Sequence, residues 1–268
     1  MSRIEVRGLH KSYGDRPVLE RVELDIAAGS FVAVVGASGC GKSTFLRLLL
    51  SQERPDRGEI LVDGTPIAPE PMPDRGIVFQ RYSVFPHLTV QENLILGLEF
   101  RRAPRLGWLF GAARRRAVED AEAILGAIGL GHARTLYPAQ LSGGMQQRLA
   151  IGQALLMAPK VLLMDEPFGA LDPGIRADMH TLLHGLWRQR GMTVLMVTHD
   201  LSEAFALGTR LLAFDKVRHD PDHPDAYGAT VTYDLPIERP PAAPSEDTAA
   251  SDDCNDQERG SDHHDPQS

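Results

Sequence analysis

Three nearly continuous apolar runs mark the interior of the fold. They occupy residues 31–35, 161–164 and 193–197, and each has about the length of a β-strand. Runs of this kind are typical of strands buried on both faces, as the strands of a parallel sheet are. The pattern therefore predicts a twisted, largely parallel sheet at the centre of the molecule.

Between about residues 88 and 158 the apolar positions recur at helical spacing instead. The strongest segments are 117–128 and 146–157. Helices between stretches of strand predict an α/β fold with an inserted helical lobe. We assign about 1–87 and 159–235 to the core of one domain and about 88–158 to the lobe.

Charge separates the end of the chain from this domain. The net charge is −8, but residues 240–268 hold eight acidic residues and one arginine, which leaves the remainder near −1. Large apolar groups are nearly absent there, so burial cannot offset the entropy of ordering, and we predict a disordered acidic tail over 236–268. The histidines at 219, 223, 263 and 264 have no cysteine or carboxylate frame of fixed spacing, which favours solvated side chains over a metal site.

Length and composition allow one sizeable core, with 268 residues of which 43% are hydrophobic. No apolar run approaches the roughly 18 residues of a membrane span, and the first residues lack the pattern of a secretory signal. We expect a cytoplasmic chain in which Cys40 and Cys254 are free thiols.

A glycine-rich loop follows the first apolar run and precedes a predicted helix. Its members are Gly36, Ala37, Ser38, Gly39, Cys40, Gly41, Lys42, Ser43 and Thr44. The glycines let backbone N–H groups converge on one point at the positive end of the helix, which suits a triphosphate. We expect Lys42 to neutralise the β and γ oxygens, Ser43 to ligate Mg²⁺ and Thr44 to assist at the phosphates. Cys40 is either a reactive thiol among these amides or a small residue that fills the loop.

Polar residues follow the other apolar runs. Asp165 and Glu166 come directly after 161–164, and His199 follows 193–197, so all lie at the carboxyl edge of the predicted sheet, where such sheets bind ligands. We expect Asp165 to be an outer-shell or water-bridged Mg²⁺ ligand and Glu166 to polarise the attacking water. His199 can touch the γ-phosphate or orient Glu166. Gln80 ends a further short run, where its amide can join Mg²⁺ or the water.

The sequence LSGGMQQR at residues 141–148 indicates a second anion site. Ser142 can cap the helix that follows, while Gly143 and Gly144 leave N–H groups free at its positive end. One chain thus carries two separate half-sites.

The phosphate loop, LSGGMQQR and the strand that ends in Asp165 and Glu166, in this order, resemble the ABC ATPases, the motor subunits of ATP-binding-cassette transporters. The resemblance spans roughly residues 4–214. It implies a P-loop NTPase fold with a RecA-like, mostly parallel sheet core, an N-terminal antiparallel β region and an inserted helical lobe. It also implies ATP as the nucleotide and a head-to-tail homodimer, in which Ser142 of one copy closes on the γ-phosphate held by Lys42 of the other.

The resemblance assigns three further roles. His199 matches the family's switch histidine, Asp172 lies in the loop that crosses the dimer seam, and Tyr13 matches the aromatic residue that stacks on adenine. Considered alone, Tyr13 is equally well explained as an ordinary edge-strand tyrosine.

Cargo and partners follow from finer resemblance. Residues 137–140 and 163–172 look like the nitrate, sulfonate and taurine branch, whereas 213–218 and 233–236 resemble members that accompany urea or guanidine carboxylation. This implies a bacterial importer with separate permease subunits, a periplasmic or lipid-anchored solute-binding protein that acts through the permease, and a place at the cytoplasmic face of the inner membrane. The alternative is a non-transport ABC ATPase of the DNA-repair or translation-factor type. The chain has neither a long coiled coil nor zinc cysteines nor a second cassette, so no nucleic-acid partner is expected.

Two further segments, one in the loop between core and lobe and one in the lobe, have two interpretations each. Tyr82, Val84 and Phe85 are expected to form a groove for a permease helix, or else Phe85 plugs the joint between the core and the lobe. The arginine-rich stretch around Trp108 either rests against lipid headgroups or a permease loop, or is a solvated helix face with a packed loop.

Overall fold

The computed structural model of the protein describes residues 1–79, 84–102, 109–218 and 226–237. Several sequence-based predictions fall outside these ranges and stay predictions. They concern Gln80, Tyr82, Trp108, the four histidines and the acidic tail from residue 238 onward.

Ten strands form two sheets in the described part of the chain. They are β1 (Ile4–Tyr13), β2 (Arg16–Ile26), β3 (Phe31–Gly36), β4 (Arg57–Val62), β5 (Thr65–Pro66), β6 (Arg75–Val78), β7 (Val161–Asp165), β8 (Thr193–Val197), β9 (Arg210–Asp215) and β10 (Thr230–Pro236). The smaller sheet has the order β2-β1-β4-β5 and is antiparallel. The larger sheet has the order β10-β9-β3-β8-β7-β6. All of its neighbouring strands are parallel except β9 and β10.

Six helices accompany the sheets in the described ranges. They are α1 (Lys42–Leu49), α2 (Val90–Arg102), α3 (Gly111–Ala127), α4 (Gly143–Leu156), α5 (Pro173–Arg190) and α6 (Leu201–Leu207). Helices α2, α3 and α4 lie between β6 and β7 in the sequence and pack on one another. None of the described helices has the length and apolar character needed to cross a membrane.

The larger sheet separates two large hydrophobic cores, and a small third cluster lies between β3, β9 and α6. Alternate residues of β3 point to opposite faces, so Phe31 joins the core beneath α2–α5, whereas Val32 and Val34 join the core shared with α1 and the smaller sheet. Every residue of 31–35 is buried for this reason, which explains why the apolar run is nearly continuous. The α/β class and the mostly parallel core predicted from the sequence are confirmed.

The carboxyl ends of three adjacent strands meet at one edge of this sheet. β8 lies between β3 and β7, with Val34 paired to Val197 and Asp165 paired to Val197 from the other side. The phosphate loop, the acidic pair and His199 follow these three strands, so the topology brings them together.

Candidate nucleotide-binding site

The phosphate loop turns sharply at its first glycine. Gly36 has φ 152°, and a Cβ atom there would lie 2.3 Å from the carbonyl oxygen of Phe214 and 2.9 Å from Cys40 Sγ. Only glycine fits this approach of the loop to β9. Helix α1 then begins at Lys42, so its first N–H groups face the loop.

Lys42 is held inside this loop. Its side chain is nearly buried, and Nζ donates hydrogen bonds to the carbonyl oxygens of Gly36 at 2.7 Å and Ala37 at 2.8 Å. The Sγ atom of Cys40, a buried thiol, is 3.7 Å from the same nitrogen. An ammonium group placed among loop carbonyls and amides is well positioned to meet a phosphate.

An open cavity of about 460 Å³ lies over the loop. Its lining residues are Tyr13, Arg16, Val18, Ser38, Gly39, Gly41, Lys42, Ser43, Thr44 and Glu166. The set combines an aromatic ring, cationic groups, hydroxyls and a carboxylate around one space. Such a lining can receive a base at one end and phosphates at the other.

Tyr13 stands at the rim of this cavity. It ends β1, pairs with Arg16 across the β1–β2 hairpin, and remains 46% exposed. Its hydroxyl donates to Glu53 Oε2 at 2.5 Å, and the Lys11 ammonium lies 5.5 Å from the ring centroid. β1 lies between β2 and β4 in the sheet, but its pairing with β4 ends at His10, so Tyr13 is paired on the β2 side only. The ring position is compatible with stacking on a base.

Glu166 has an unusual backbone and a histidine neighbour. Its φ is +46°, in the left-handed region that costs a non-glycine residue about 1–2 kcal/mol. Its N–H donates to Val197 O at 2.9 Å, which fixes the residue to the end of β8. The Oε2 atom lies 3.4 Å from His199 Nδ1. The structure thus places the two predicted residues side by side, with Glu166 facing the cavity.

Magnesium would find hard oxygen ligands at this edge. Ser43 is exposed at the start of α1 and lines the cavity. Asp165 ends β7, two strands from β3 in the sheet, and directly precedes the cavity residue Glu166. No group of three His, Cys, Asp or Glu side chains that could hold a metal ion by themselves occurs in the described ranges. A hydroxyl and one carboxylate fit Mg²⁺, which commonly takes its other ligands from waters and substrate phosphates.

The predicted second half-site is the start of α4. Ser142 is the N-cap, and its Oγ accepts a hydrogen bond from Met145 N at 3.3 Å. Ser142 and Gly143 are exposed, and the described lining of the phosphate-loop cavity includes neither of them. The N-terminal end of α4 is therefore exposed outside the phosphate-loop cavity of its own chain, where its N–H groups can meet an anion.

Asp172 lies close to this second half-site. It is exposed at the N-cap of α5, and Ile175 in the same helix packs on Gly144 of α4. The predicted seam residue and the LSGGMQQR segment therefore share one surface region.

We expect Gly144→Ala to destabilise the fold at this junction. A Cβ atom would lie 2.4 Å from Ile175 Cγ2, so α4 or α5 must shift, at a cost of about 1–3 kcal/mol in the free energy of unfolding. Gly185→Ala is the matched control, since nothing lies within 4 Å of its Cβ position in α5, and alanine should stabilise that helix by up to about 1 kcal/mol. Chemical denaturation of both variants measures the difference. Equal stability of both variants would contradict the packing described here.

Comparison with known proteins identifies the family of the chain. The family model for ABC transporters matches residues 19–169, more than half of the chain. The aliphatic sulfonates import ATP-binding protein SsuB 1 of Rhizobium johnstonii is 40% identical over 237 residues, covering 88% of this chain and 78% of that protein. The chain belongs to the ABC transporter family. The aliphatic sulfonates import ATP-binding protein SsuB of Pseudomonas entomophila is 42% identical over 231 residues. That match covers 86% of this cassette and 77% of the Pseudomonas protein.

Solved structures agree with this assignment. A dimeric structure of MJ0796, described as a bacterial ABC transporter cassette, matches with a TM-score of 0.70 and 30% identity, covering 88% of this cassette and 99% of that chain. The structure of cbiO1 from Clostridium perfringens, part of the ABC transporter complex cbiONQ, matches with a TM-score of 0.73 and 24% identity. The match covers 86% of this chain and 87% of that chain, and it supports the fold alone. The cassette is thus an ATP hydrolase that drives transport, as the sequence predicted.

Sequence reasoning missed two residues of the cavity. Arg16 and Val18 line it from the start of β2, opposite Tyr13. Neither residue belongs to a phosphate-binding pattern. Their position just after Tyr13, in the β1–β2 hairpin that folds over the phosphate loop, was the only sequence feature that could have indicated their role.

Proposed function

We propose that this cassette hydrolyses ATP to energise a bacterial importer of aliphatic sulfonates. The observation that carries the proposal is the separation of two half-sites on one chain, the Lys42 loop and the Ser142 helix end. Relatives named for aliphatic sulfonate import, about 40% identical over most of this chain, supply the cargo class. Nitrate, taurine, and urea- or guanidine-related solutes are the competing cargoes.

Two copies acting together would complete each ATP site. Lys42 holds the phosphates in one copy, while Ser142 and Gly143 of the other close on the γ-phosphate, and Asp172 lies at the seam. The dimeric structure of the 30% identical MJ0796 supports this arrangement. Two equivalent sites then form at one two-fold interface.

Within each site the residues divide the work. The phosphate-loop amides and Lys42 bind the triphosphate, Thr44 assists them, and Tyr13 stacks on adenine. Glu166 accepts the proton of the attacking water. His199, 3.4 Å from Glu166, orients the Glu166 carboxylate and contacts the γ-phosphate. Gln80, outside the described residues, would sense the occupied site.

Mg²⁺ is proposed at Ser43 and Asp165, with Gln80 as a further ligand. The ion would neutralise the charge that develops on the β and γ oxygens during phosphoryl transfer.

Permease subunits are the proposed membrane partners, with a solute-binding protein acting through them. This places the cassette at the cytoplasmic face of the inner membrane, held there by the permease. A groove of about 360 Å³ between core and lobe supports this docking, because Phe79, Phe85 and Phe100 border it. Phe100 is 68% exposed, and Phe85 is 44% exposed.

Hydrogen bonds to Asn93 fix the backbone of Phe85 beside the groove. Asn93 on α2 accepts a hydrogen bond from Phe85 N at 2.8 Å and donates one to Phe85 O at 3.0 Å. Val84 beside it packs against the core of the lobe. A half-exposed ring on a fixed backbone suits an apolar partner helix better than a plug between lobes.

We expect Phe85→Asp to abolish co-purification with the permease while ATP binding persists. Burying a carboxylate in place of an anchor ring costs at least about 2 kcal/mol, or about thirtyfold in affinity. Phe205→Asp is the control, because Phe205 is a similarly exposed ring on α6, outside the groove. Retained association of the Phe85 variant would defeat the groove, and loss of folding would favour the plug.

Cargo is tested with the purified transporter. We expect solute-binding protein loaded with an alkanesulfonate to stimulate ATP hydrolysis, and loading with urea or a guanidine compound to leave the rate unchanged. The reverse order would reassign the cargo.

A further inference from the structure

One guanidinium connects two loops of the ATP site. Arg176, in the first turn of α5, donates from Nη2 to Leu171 O at 3.2 Å and from Nη1 to Asp200 Oδ2 at 3.2 Å. Leu171 precedes Asp172 in the proposed seam loop, and Asp200 follows His199 after β8. The arginine therefore spans from the loop that would meet a second copy to the turn that carries the histidine.

The buried carboxylate of Glu203 holds the turn at 198–200, which we call the His199 turn. Glu203 of α6 is only 4% exposed, and its Oε2 accepts a hydrogen bond from the Thr198 hydroxyl at 2.7 Å. That hydroxyl oxygen in turn accepts from Asp200 N at 3.0 Å. Both residues that flank His199 are thereby tied to Glu203, so the backbone of the turn has little freedom.

Arg176 also supplies charge to this carboxylate. Its Nε lies 3.5 Å from Glu203 Oε1, and His180 Nε2 lies 3.8 Å from the same oxygen. Burial would raise the pKa of Glu203, but His180, the Thr198 hydroxyl and Arg176 together hold it below its ordinary value. A buried carboxylate that stays charged depends on its partners, so removing the arginine charge alone would be costly.

The residues of this network lie next to the ATP site but do not line it. The described lining of the ATP cavity includes neither Arg176 nor Glu203, and the nearest contact to a reacting group passes through His199 to Glu166. Arginine presents several donors in one rigid plane, so displacement of Leu171 moves the donors that hold Asp200. A displaced seam loop would therefore pull on the His199 turn through this one side chain.

We propose that Arg176 is a positioning residue that couples the seam loop at 171–172 to the His199 turn, so that the position of the seam loop keeps the histidine beside Glu166. The inference rests on the proposed function, because the seam belongs to the dimer. It predicts that the contact between His199 and Glu166 depends on the far side of the network, at Leu171.

Arg176→Lys tests the coupling while keeping the charge beside Glu203. A single ammonium cannot hold both Leu171 O and Asp200 in the arginine geometry. In the full-length chain we expect ATP affinity to stay within about twofold and kcat to fall about tenfold, a loss of transition-state stabilisation without a binding loss. Arg188→Lys, at the exposed end of the same helix, is the control and should leave both unchanged.

Amide hydrogen exchange distinguishes coupling of the two loops from a purely structural role of Arg176, because only coupling changes the exchange of both loops together. We expect exchange to accelerate together over 167–172 and 198–203 in Arg176→Lys, and in neither segment in Arg188→Lys. If Arg176→Lys fails to fold, the double variant Arg176→Gln/Glu203→Gln removes both charges together and should show the same paired acceleration.

Faster exchange in the 167–172 segment alone, or an unchanged kcat in a folded Arg176→Lys variant, would overturn the coupling. A fall in ATP affinity as large as the fall in kcat would overturn it too. Absence of ATP hydrolysis by the wild-type transporter would instead refute the proposed function, and the exchange data would still decide whether the two loops are coupled.

Discussion

Glu166→Gln is expected to bind ATP normally and to trap two copies of the chain around it. The amide keeps the shape and the phosphate contacts of the site, but it cannot accept the proton of the attacking water, so hydrolysis should fall at least about a hundredfold. With hydrolysis blocked, the ATP-bound dimer accumulates. Light scattering in Mg-ATP should show a doubled mass for the variant, and phosphate release from the assembled transporter should be nearly lost.

Glu119→Gln is the control for this prediction, because Glu119 is exposed on α3 and is absent from the described lining of the cavity. It should turn over like the wild type. Normal turnover by Glu166→Gln in the assembled transporter would refute the role given to the carboxylate. The positive φ of Glu166 should persist in the variant, since its N–H contact with Val197 is made by the backbone.

Lys42→Ala is expected to lose ATP binding as well as hydrolysis. The substitution removes the ammonium that the loop holds between Gly36 O and Ala37 O. Charge-assisted hydrogen bonds contribute about 1.5–3 kcal/mol each, so ATP affinity should fall about ten- to a hundredfold. Titration of the purified chain with a fluorescent ATP analogue measures the loss.

Lys160→Ala serves as the matched control, because Lys160 is exposed and pairs with Asp63 at 3.9 Å, away from the described lining of the cavity. Its nucleotide affinity should equal that of the wild type. Wild-type affinity in Lys42→Ala would contradict the placement of the phosphates at this loop.

The sheet core was predictable because its strands are buried on both faces. The runs 31–35, 161–164 and 193–197 became β3, β7 and β8, and the polar residues after them met at one edge. Local chemistry also identified the Ser142 cap, which needs only the residues that follow it in the helix. Predictions of this kind succeed where neighbours in sequence determine the structure.

Contacts between distant segments could not be predicted in the same way. The interior position of β1 depends on pairing with β4, which follows in the chain after the phosphate loop and α1. Arg176 and Glu203 belong to different helices that meet only after the sheet has folded. Polar residues with helical spacing resemble a solvated face in the sequence, so their burial and pairing appear only in three dimensions.

Solute uptake by the reconstituted transporter tests the central claim most directly. Proteoliposomes that contain the permease and this cassette, with solute-binding protein outside and ATP enclosed, are supplied with a labelled alkanesulfonate. We predict uptake with enclosed ATP and the wild-type cassette, and none with enclosed ADP or with Glu166→Gln. ATP hydrolysis that is independent of the permease and stimulated by nucleic acid, without uptake, would contradict the account and favour a non-transport ABC ATPase.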